Sequence, residues 1–434
     1  MYRQVSANYH GPTDDIHHPA LEGTLSCLWA LHHRVPNTPM DLTLHMACQS
    51  PISLLVIGTH YCRTTDQACE AHLFCVSLSL VLSRFLKLRS VFATNRTGGI
   101  VGLPTHHATL PAADAESVWI DGTPNLVTAK LETWTFVAKV EPECIPGYWY
   151  GKKGGPPMPT TPVPSGLRVF YFLHGGGYIQ LSAHPHAMTS NITRALVELD
   201  GSAPHALSLE YRLSSTAPLP DQNPFPAALL DALAGYNHLV NVVGYSPSNV
   251  ILVGDSAGGN LALALTRYLV ENKNTPKVSL PAPPGHLILL SPLVDLTTSH
   301  DWPGSSTISN TADYLGFHDS GRSLYAKHAF LGPFGLGFAF HNPYISPASL
   351  FPSEYQAHFG GFPRTFIATG TAERFYDAIR TLGKKMAAEM GEGTGDGQVT
   401  YLEGKDAVHD FLAFKWHPCR PATLMAIRQW LAAA

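Results

Sequence analysis

Val250-Ile251-Leu252-Val253-Gly254-Asp255-Ser256-Ala257-Gly258-Gly259-Asn260-Leu261-Ala262-Leu263-Ala264-Leu265 carries the decision about the fold. A short apolar run meets a glycine-flanked serine and passes at once into an apolar segment rich in strong helix formers. The stretch reads as strand, tight turn, helix. Gly254-Asp255-Ser256-Ala257-Gly258 has the G-x-S-x-G spacing of a nucleophile elbow, in which the serine sits on strained backbone and the glycines leave room where side chains would collide. The helix that opens there aims unpaired N–H groups and a partial positive charge at any negative oxygen bound beside the serine.

A second stretch lies upstream. Arg168-Val169-Phe170-Tyr171-Phe172-Leu173 reads as another buried strand and runs into His174-Gly175-Gly176-Gly177-Tyr178. Successive glycines expose backbone N–H groups without side-chain cover, which suits an oxyanion hole built from main-chain donors. These two motifs, in this order, resemble the hormone-sensitive-lipase-like branch of the α/β-hydrolases. Glu210-Tyr211-Arg212-Leu213 followed by Pro224-Phe225-Pro226-Ala227-Ala228 is similar to the family's stretch between the glycine motifs, and Ser291 to Asp295 and Asn342 to Pro347 resemble further landmarks. The resemblance covers about residues 165 to 434 and implies a mostly parallel sheet with helices on both faces.

The spacing of the other elements agrees. Ala206 to Tyr211, His286 to Leu290, Phe366 to Gly370 and Val399 to Leu402 read as strands. Pro226 to Val243 reads as a helix with Leu229, Leu230, Leu233, Tyr236 and Val240 on one side. Alternation of strands with helical patterns of this length implies a parallel sheet with the active site beyond its carboxyl edge. Leu131 to Val140 alternates apolar and polar residues and reads as a strand or sheet edge, which Gly147 to Tyr150 would continue. Residues 151 to 166 are a loop by composition.

A serine hydroxyl needs a base, and the base needs a carboxylate to hold its tautomer. In α/β-hydrolases both follow the serine, in the order acid then histidine. His409, in Glu403-Gly404-Lys405-Asp406-Ala407-Val408-His409-Asp410-Phe411, follows the last strand directly and resembles the family's H-x-F stretch. His300, His318, His328, His341, His358 and His417 are its rivals. For the acid, the family has an Asp at the first acidic position after the strand that ends at Gly370 and a second four residues on. Here Glu373 and Asp377 hold those places, with Asp295 a third candidate. Glu373 is preferred because it holds the first of those places; glutamate carries the same charge on a side chain one methylene longer, so the role survives if the loop is set back slightly.

The resemblance implies hydrolysis of carboxylic esters with short or medium acyl chains, acetyl esters included, and the residues expected to carry it are Ser256, His409 and Glu373. Gly175, Gly176 and Ala257 supply the oxyanion hole, and Gly177 and Tyr178 line the substrate pocket. Asp255 and His174 are expected to brace the elbow and the glycine loop, and Arg212 to pair with a buried carboxylate. A non-catalytic ligand-binding protein on the same fold and an amidase or peptidase are the alternatives. The presence of both Ser256 and His409 favours the enzyme over the binder, and nothing indicates the gating domain that commonly accompanies peptidases of this fold.

Composition limits the remaining classes. The chain has 434 residues, 14% of them charged against about 25% in an average globular protein, with a net charge of −4. That balance suggests neither a nucleic-acid partner nor an anionic membrane surface. Seven cysteines, with no C-x-x-C pair and all but Cys419 before residue 150, argue against a zinc site and a disulfide scaffold. The histidine pairs at 17–18, 32–33 and 106–107 lack the spacing of metal ligands, so no metal or organic cofactor is expected.

Residues 1–115 form a segment of uncertain structure ahead of a hydrolase domain over 116–434. No basic region followed by an apolar stretch opens the chain, so no cleaved signal peptide is expected and a cytoplasmic location is favoured. The apolar run from Leu73 to Leu88 is broken by Arg84 and Lys87 and is too short to span a bilayer. It suits a buried helix or a poorly ordered segment or, as alternatives, a cap helix or a weak interfacial anchor, so membrane contact has only that support. Residues 296–350, rich in aromatics (Trp302, Tyr314, Phe317, Tyr325, Phe330, Phe334, Phe338, Phe340), sit where the family carries an insertion over the active site. Ordinary core packing is the plainer reading for most of those rings.

Overall fold

The computed structural model describes residues 114–433 apart from 200, 277, 317–320 and 353–355. The Leu73–Leu88 run, the histidine pairs, five of the cysteines, Phe317 and His318 lie outside the described residues. The elements in chain order are β1 (Ala115–Ile120), α1 (Lys130–Ala138), β2 (Ile145–Gly151), β3 (Val169–Leu173), α2 (Ser190–Leu199), β4 (His205–Leu209), α3 (Ala227–Asn237) and β5 (Val250–Asp255). They continue with α4 (Ala257–Asn272), β6 (His286–Leu290), α5 (Ser306–Ser309), α6 (Gly321–Leu331), β7 (Arg364–Gly370), α7 (Tyr376–Met390), β8 (Val399–Gly404) and α8 (Cys419–Ala432). Short 3-10 and π turns lie between them.

The strands form one eight-stranded sheet in the order β1-β2-β4-β3-β5-β6-β7-β8. β1 and β2 run antiparallel to each other, as do β2 and β4, whereas every other pair is parallel. The parallel strands are short apolar runs because helices cover both faces and no side chain on either side meets water. Side chains alternate across the sheet plane. Val250 and Leu252 therefore enter one core, together with Val169, Tyr171, Leu173, Leu287 and Leu289. Ile251 and Val253 enter the other, with Phe170, Phe172, Ile288 and Leu290. The first core is closed by α3, α4 and α7, which contribute Leu229, Leu233, Leu261, Leu265, Ile379 and Leu382. Ile192 and Leu196 of α2 and Ile427 and Trp430 of α8 close the second. Each such fully buried aliphatic or aromatic side chain is worth roughly 1.5–3 kcal/mol.

Two elements differ from the sequence expectation. Leu131 to Val140 is not a strand: α1 occupies most of it. The alternation is accidental, because Phe136, which the strand pattern would turn inward, is 84% exposed. Leu131, Trp134, Thr135 and Ala138 are the sheltered positions, the i, i+3, i+4, i+7 spacing of a helix face. Trp134 packs against Phe225 and Tyr344 at ring distances of 5.1 and 5.0 Å. The strand that does precede β2 is β1, whose polar positions hid it. In the second case, α3 ends at Asn237 and continues as a π turn to Val243, and its residues 227–236 are buried on every side rather than along one stripe.

β5 lies fourth from the β8 edge, with β3 on one side and β6 on the other. Its carboxyl end is thus flanked by the loops after β3, β6, β7 and β8, the residues expected to act together.

Candidate active site

Ser256 stands between β5 and α4 with φ 53° and ψ −118°. That backbone is unfavourable for any residue with a Cβ and persists only where the surroundings enforce it. Here Ser256 N–H donates to the Leu290 carbonyl at 3.0 Å, and its own carbonyl accepts from Leu293 N–H at 2.8 Å. The glycines are required by contact. A Cβ on Gly254 would lie 2.2 Å from the Gly258 carbonyl oxygen, and one on Gly258 would lie 2.0 Å from that of Leu173.

The loop after β8 brings His409 to the serine, with His409 Nε2 and Ser256 Oγ 2.9 Å apart. On the other side of the ring, Nδ1 lies 2.8 Å from Glu373 Oε2. Glu373 follows β7 and is completely buried. Its other oxygen accepts from the Thr369 hydroxyl and from Gly370 N–H at 2.6 Å. The two loops are sewn together: Ala372 N–H donates to the Ala407 carbonyl, and Asp406 N–H to the Thr371 hydroxyl. Ser256 is 6% exposed and His409 2%.

The other acid candidates lie elsewhere. Asp377 accepts Ser306 N–H at 2.7 Å and donates its own N–H to the Ser306 hydroxyl, tying α7 to α5. Asp295 is bonded to His300 Nδ1 at 2.7 Å and to Thr297 and Ser299. Among the rival histidines His300 is taken by that pair, His358 faces Glu389, and His417 packs on Phe411.

Asp255 and His174 brace the loops around the serine. Gly175, expected among the oxyanion donors, gives its N–H to Asp255 Oδ1 at 2.9 Å. Gly175 instead fastens the glycine loop to the elbow, where a Cβ would meet Asp255 Oδ2 at 2.6 Å. Gly176 (φ 120°) and Gly177 (φ 63°) carry the turn that follows, and Gly176 has no room for a Cβ beside the Gln180 carbonyl. His174 stacks on Tyr211 at 4.3 Å, and Tyr211 donates its hydroxyl to the His174 carbonyl. Burial lowers the His174 imidazole to about 4, so it stays neutral. Tyr178 stacks on Phe330 of α6 at 3.8 Å and donates its hydroxyl to Asn260. Arg212 is paired with Asp231 at 2.7 Å and Glu143 at 2.7 Å.

Sequence reasoning assigned no role to two carboxyls here. Asp313, within 296–350, accepts Arg374 N–H at 2.7 Å and faces His409 N–H at 3.4 Å, and burial raises it to about 6. Asp410, beside the histidine, has Oδ2 3.1 Å from His409 Nε2. Burial alone would push the His409 imidazole down, but Asp410, through charge and hydrogen bond, and then Glu373 hold it well above its ordinary range. Asp313 had no local signal, since 60 residues separate it from the acid loop. Asp410 stood in the quoted stretch, but nothing local says which way its side chain turns. Two cavities of about 300 and 210 Å³ are lined by Phe340, Phe351 and Lys385 and by Lys130, Tyr268 and Glu271 respectively, and neither is lined by Ser256. Among the described residues no group of three or more His, Cys, Asp or Glu is placed to hold a metal ion, and no helix is long and apolar enough to cross a membrane.

A serine on an enforced turn, an imidazole against its hydroxyl and a buried carboxylate behind that imidazole can together transfer an acyl group. Comparison with known proteins agrees with that chemistry. Residues 170–413 match the α/β-hydrolase fold family. An acetyl-hydrolase of Streptomyces hygroscopicus is 30% identical over 261 residues, which are 60% of this chain and 73% of that protein. Of solved structures, an esterase/lipase from an uncultured bacterium is 25% identical with a TM-score of 0.51, over 76% of this chain and 87% of its own. A hormone-sensitive lipase from a metagenome library shares the fold at a TM-score of 0.52 and 24% identity, over 88% and 98%. The chain belongs to the α/β-hydrolase fold family, in its hormone-sensitive-lipase-like branch, and is a carboxylic ester hydrolase.

Proposed function

We propose that Ser256, His409 and Glu373 are the catalytic triad of this ester hydrolase and that its substrates are small esters with short or medium acyl chains, acetyl esters among them. The observation that carries the reading is the unbroken relay from Ser256 Oγ through both nitrogens of His409 to Glu373, at 2.9 and 2.8 Å, assembled from three separate loops. His409 takes the serine proton as Oγ bonds the ester carbonyl carbon, and then gives it to the departing alcohol as the C–O bond breaks. Water, deprotonated by the same imidazole, attacks the acyl-enzyme and releases the acid.

The oxyanion donors in this proposal are the N–H groups of Gly176 and Ala257, with Gly177 N–H beside them. Ala257 is the first residue of α4, so the helix dipole adds to its N–H. Losing one such donor typically costs on the order of 100- to 1,000-fold in rate.

Residues 296–350 act as a cap in this reading. Support comes from Phe330 on Tyr178, from Tyr314 at 5.9 Å from the His409 ring, and from Ala326 of α6, the nearest side chain a Cβ on Gly177 would meet, at 3.8 Å. These contacts confine the space around the serine and favour small acyl groups. The name of the Streptomyces relative points the same way.

The test is hydrolysis of p-nitrophenyl acetate, butyrate, octanoate and palmitate by the wild type and Ser256→Ala. Activity confined to the wild type, greatest on acetate or butyrate, is expected. A preference for palmitate refutes the small-acyl reading, and activity in Ser256→Ala refutes the triad.

A further inference from the structure

His409 Nε2 has two neighbours, Ser256 Oγ at 2.9 Å and Asp410 Oδ2 at 3.1 Å. Asp410 is 7% exposed, and its Oδ1 is buried without a hydrogen-bond partner. A carboxylate serving the fold would have both oxygens satisfied, since an unpaired buried charge is expensive. Asp410 also occupies left-handed backbone, φ 50° and ψ 35°, a conformation that among residues with side chains is visited mainly by Asn and Asp. Its N–H donates to the Ser291 hydroxyl at 3.2 Å, which holds the residue in place.

The chemistry follows from the protonation state of the ring. In neutral His409 the Nδ1 proton goes to Glu373 and the Nε2 lone pair accepts from Ser256. A carboxylate beside that lone pair gains nothing. Once Nε2 carries a proton, Asp410 Oδ2 accepts it in a charge-assisted hydrogen bond. Asp410 therefore stabilises the imidazolium selectively, from the side opposite Glu373.

Resting on the triad reading above, we infer that Asp410 is a second positioning carboxylate for His409, one that grips the Nε2 proton and so sets the pH above which the base is free to activate Ser256. The proton moves from Ser256 to Nε2 and on to the leaving alcohol. Asp410 accepts a hydrogen bond from Nε2 while the ring is protonated and itself takes no proton. The other ionisable groups facing this site are Glu373 and Arg374 after β7, Asp255 at the end of β5, and Asp313 and Tyr314 from 296–350. Arg374 donates from its side chain to the carbonyls of Leu315 and Thr307. Burial and then the Asp410 charge hold Asp255 well above the ordinary carboxylate range. Burial raises Asp410 as well, and the facing His409, through charge and hydrogen bond, pulls it back toward the anion that grips the Nε2 proton.

The experiment is the pH profile of kcat/KM on p-nitrophenyl butyrate for the wild type, Asp410→Asn and Asp410→Gly, with fluorophosphonate labelling of Ser256 measured over the same pH range. Both substitutions tolerate left-handed backbone, so at least one folded variant is available, and thermal unfolding checks it. The acid limb is expected to move down by at least about one pH unit in both rates, because an opposite charge at this distance shifts a group by one to three units. The variants would then outrun the wild type on the acid side. A limb that stays within about 0.3 unit of the wild type in a folded variant overturns the inference. If Ser256→Ala abolishes activity in that case, the triad reading stands. If Ser256→Ala remains active, both fall.

Discussion

Replacing Glu373 by Gln and by Asp measures separately what the charge and the length of the acid contribute. Glu373 is buried among three donors: the Thr369 hydroxyl, Gly370 N–H at 2.6 Å and His409 Nδ1 at 2.8 Å. Gln keeps the volume but removes the charge, and its amide can turn an N–H toward Nδ1 and favour the wrong tautomer. Loss of the triad carboxylate in this way costs about 10⁴-fold in kcat, some 5–6 kcal/mol at about 1.4 kcal/mol per decade. Asp keeps the charge but draws the carboxylate back by roughly one C–C bond, about 1.5 Å. The contact to Nδ1 then opens to about 4 Å, and a misplacement of this size costs on the order of 100-fold. The assay is kcat and KM on p-nitrophenyl butyrate, with a fluorophosphonate titration of active sites and a thermal melt for each protein. Asp377→Asn serves as control. Asp377 only caps Ser306, so its loss should cost about 1 kcal/mol of stability and leave kcat within a few-fold. A folded Glu373→Gln enzyme within tenfold of the wild type would refute the assignment, as would an Asp377→Asn defect of equal size.

The remaining predictions concern the scaffold. Gly258→Ala would place a Cβ 2.0 Å from the Leu173 carbonyl oxygen, a backbone contact that no side-chain rotation relieves. A melting temperature lower by more than about 5 °C, with loss of Ser256 labelling, is expected, and an unchanged melt would disprove the steric account of the elbow. His174 supplies a pH test. Its folded-state value, about 4, is below the ordinary 6.5, so the unfolded chain takes up this proton first as pH falls. Its contribution to stability is therefore present above about pH 6.5, declines toward pH 4 and levels off below, with a maximum of about 3 kcal/mol. His174→Phe keeps the stack on Tyr211 and removes the titration. Urea unfolding at pH 7 and 4.5 should show a smaller acid loss in the variant, and equal losses would contradict the prediction.

The local sequence was most informative where a residue's role depends on its immediate neighbours. The elbow is legible because only glycine fits at 254 and 258, and the parallel strands because burial on both faces leaves them uniformly apolar. The α1 segment misled because an amphipathic helix with exposed Phe136 and Val137 produces apolar spacings of two as well as of three and four. Leu131, Trp134 and Ala138 are told apart from them only by what lies alongside.

Across the chain the division is the same. The sequence by itself determined a serine on a strand-to-helix turn, a glycine loop ahead of it, a fold with a mostly parallel sheet, and a short list of acids and histidines that could complete the relay. Tertiary structure alone decided that Glu373 rather than Asp377 or Asp295 meets His409 and that Gly175 N–H is held by Asp255. It also decided that Asp313 and Asp410 crowd the same imidazole. The reason is physical: these outcomes are set by distances between loops on β5, β7 and β8, which the order of strands in the sheet brings together across more than 150 residues of chain. Nothing in a local stretch encodes which of two carboxylates, four residues apart on one turn, will point into the space between them.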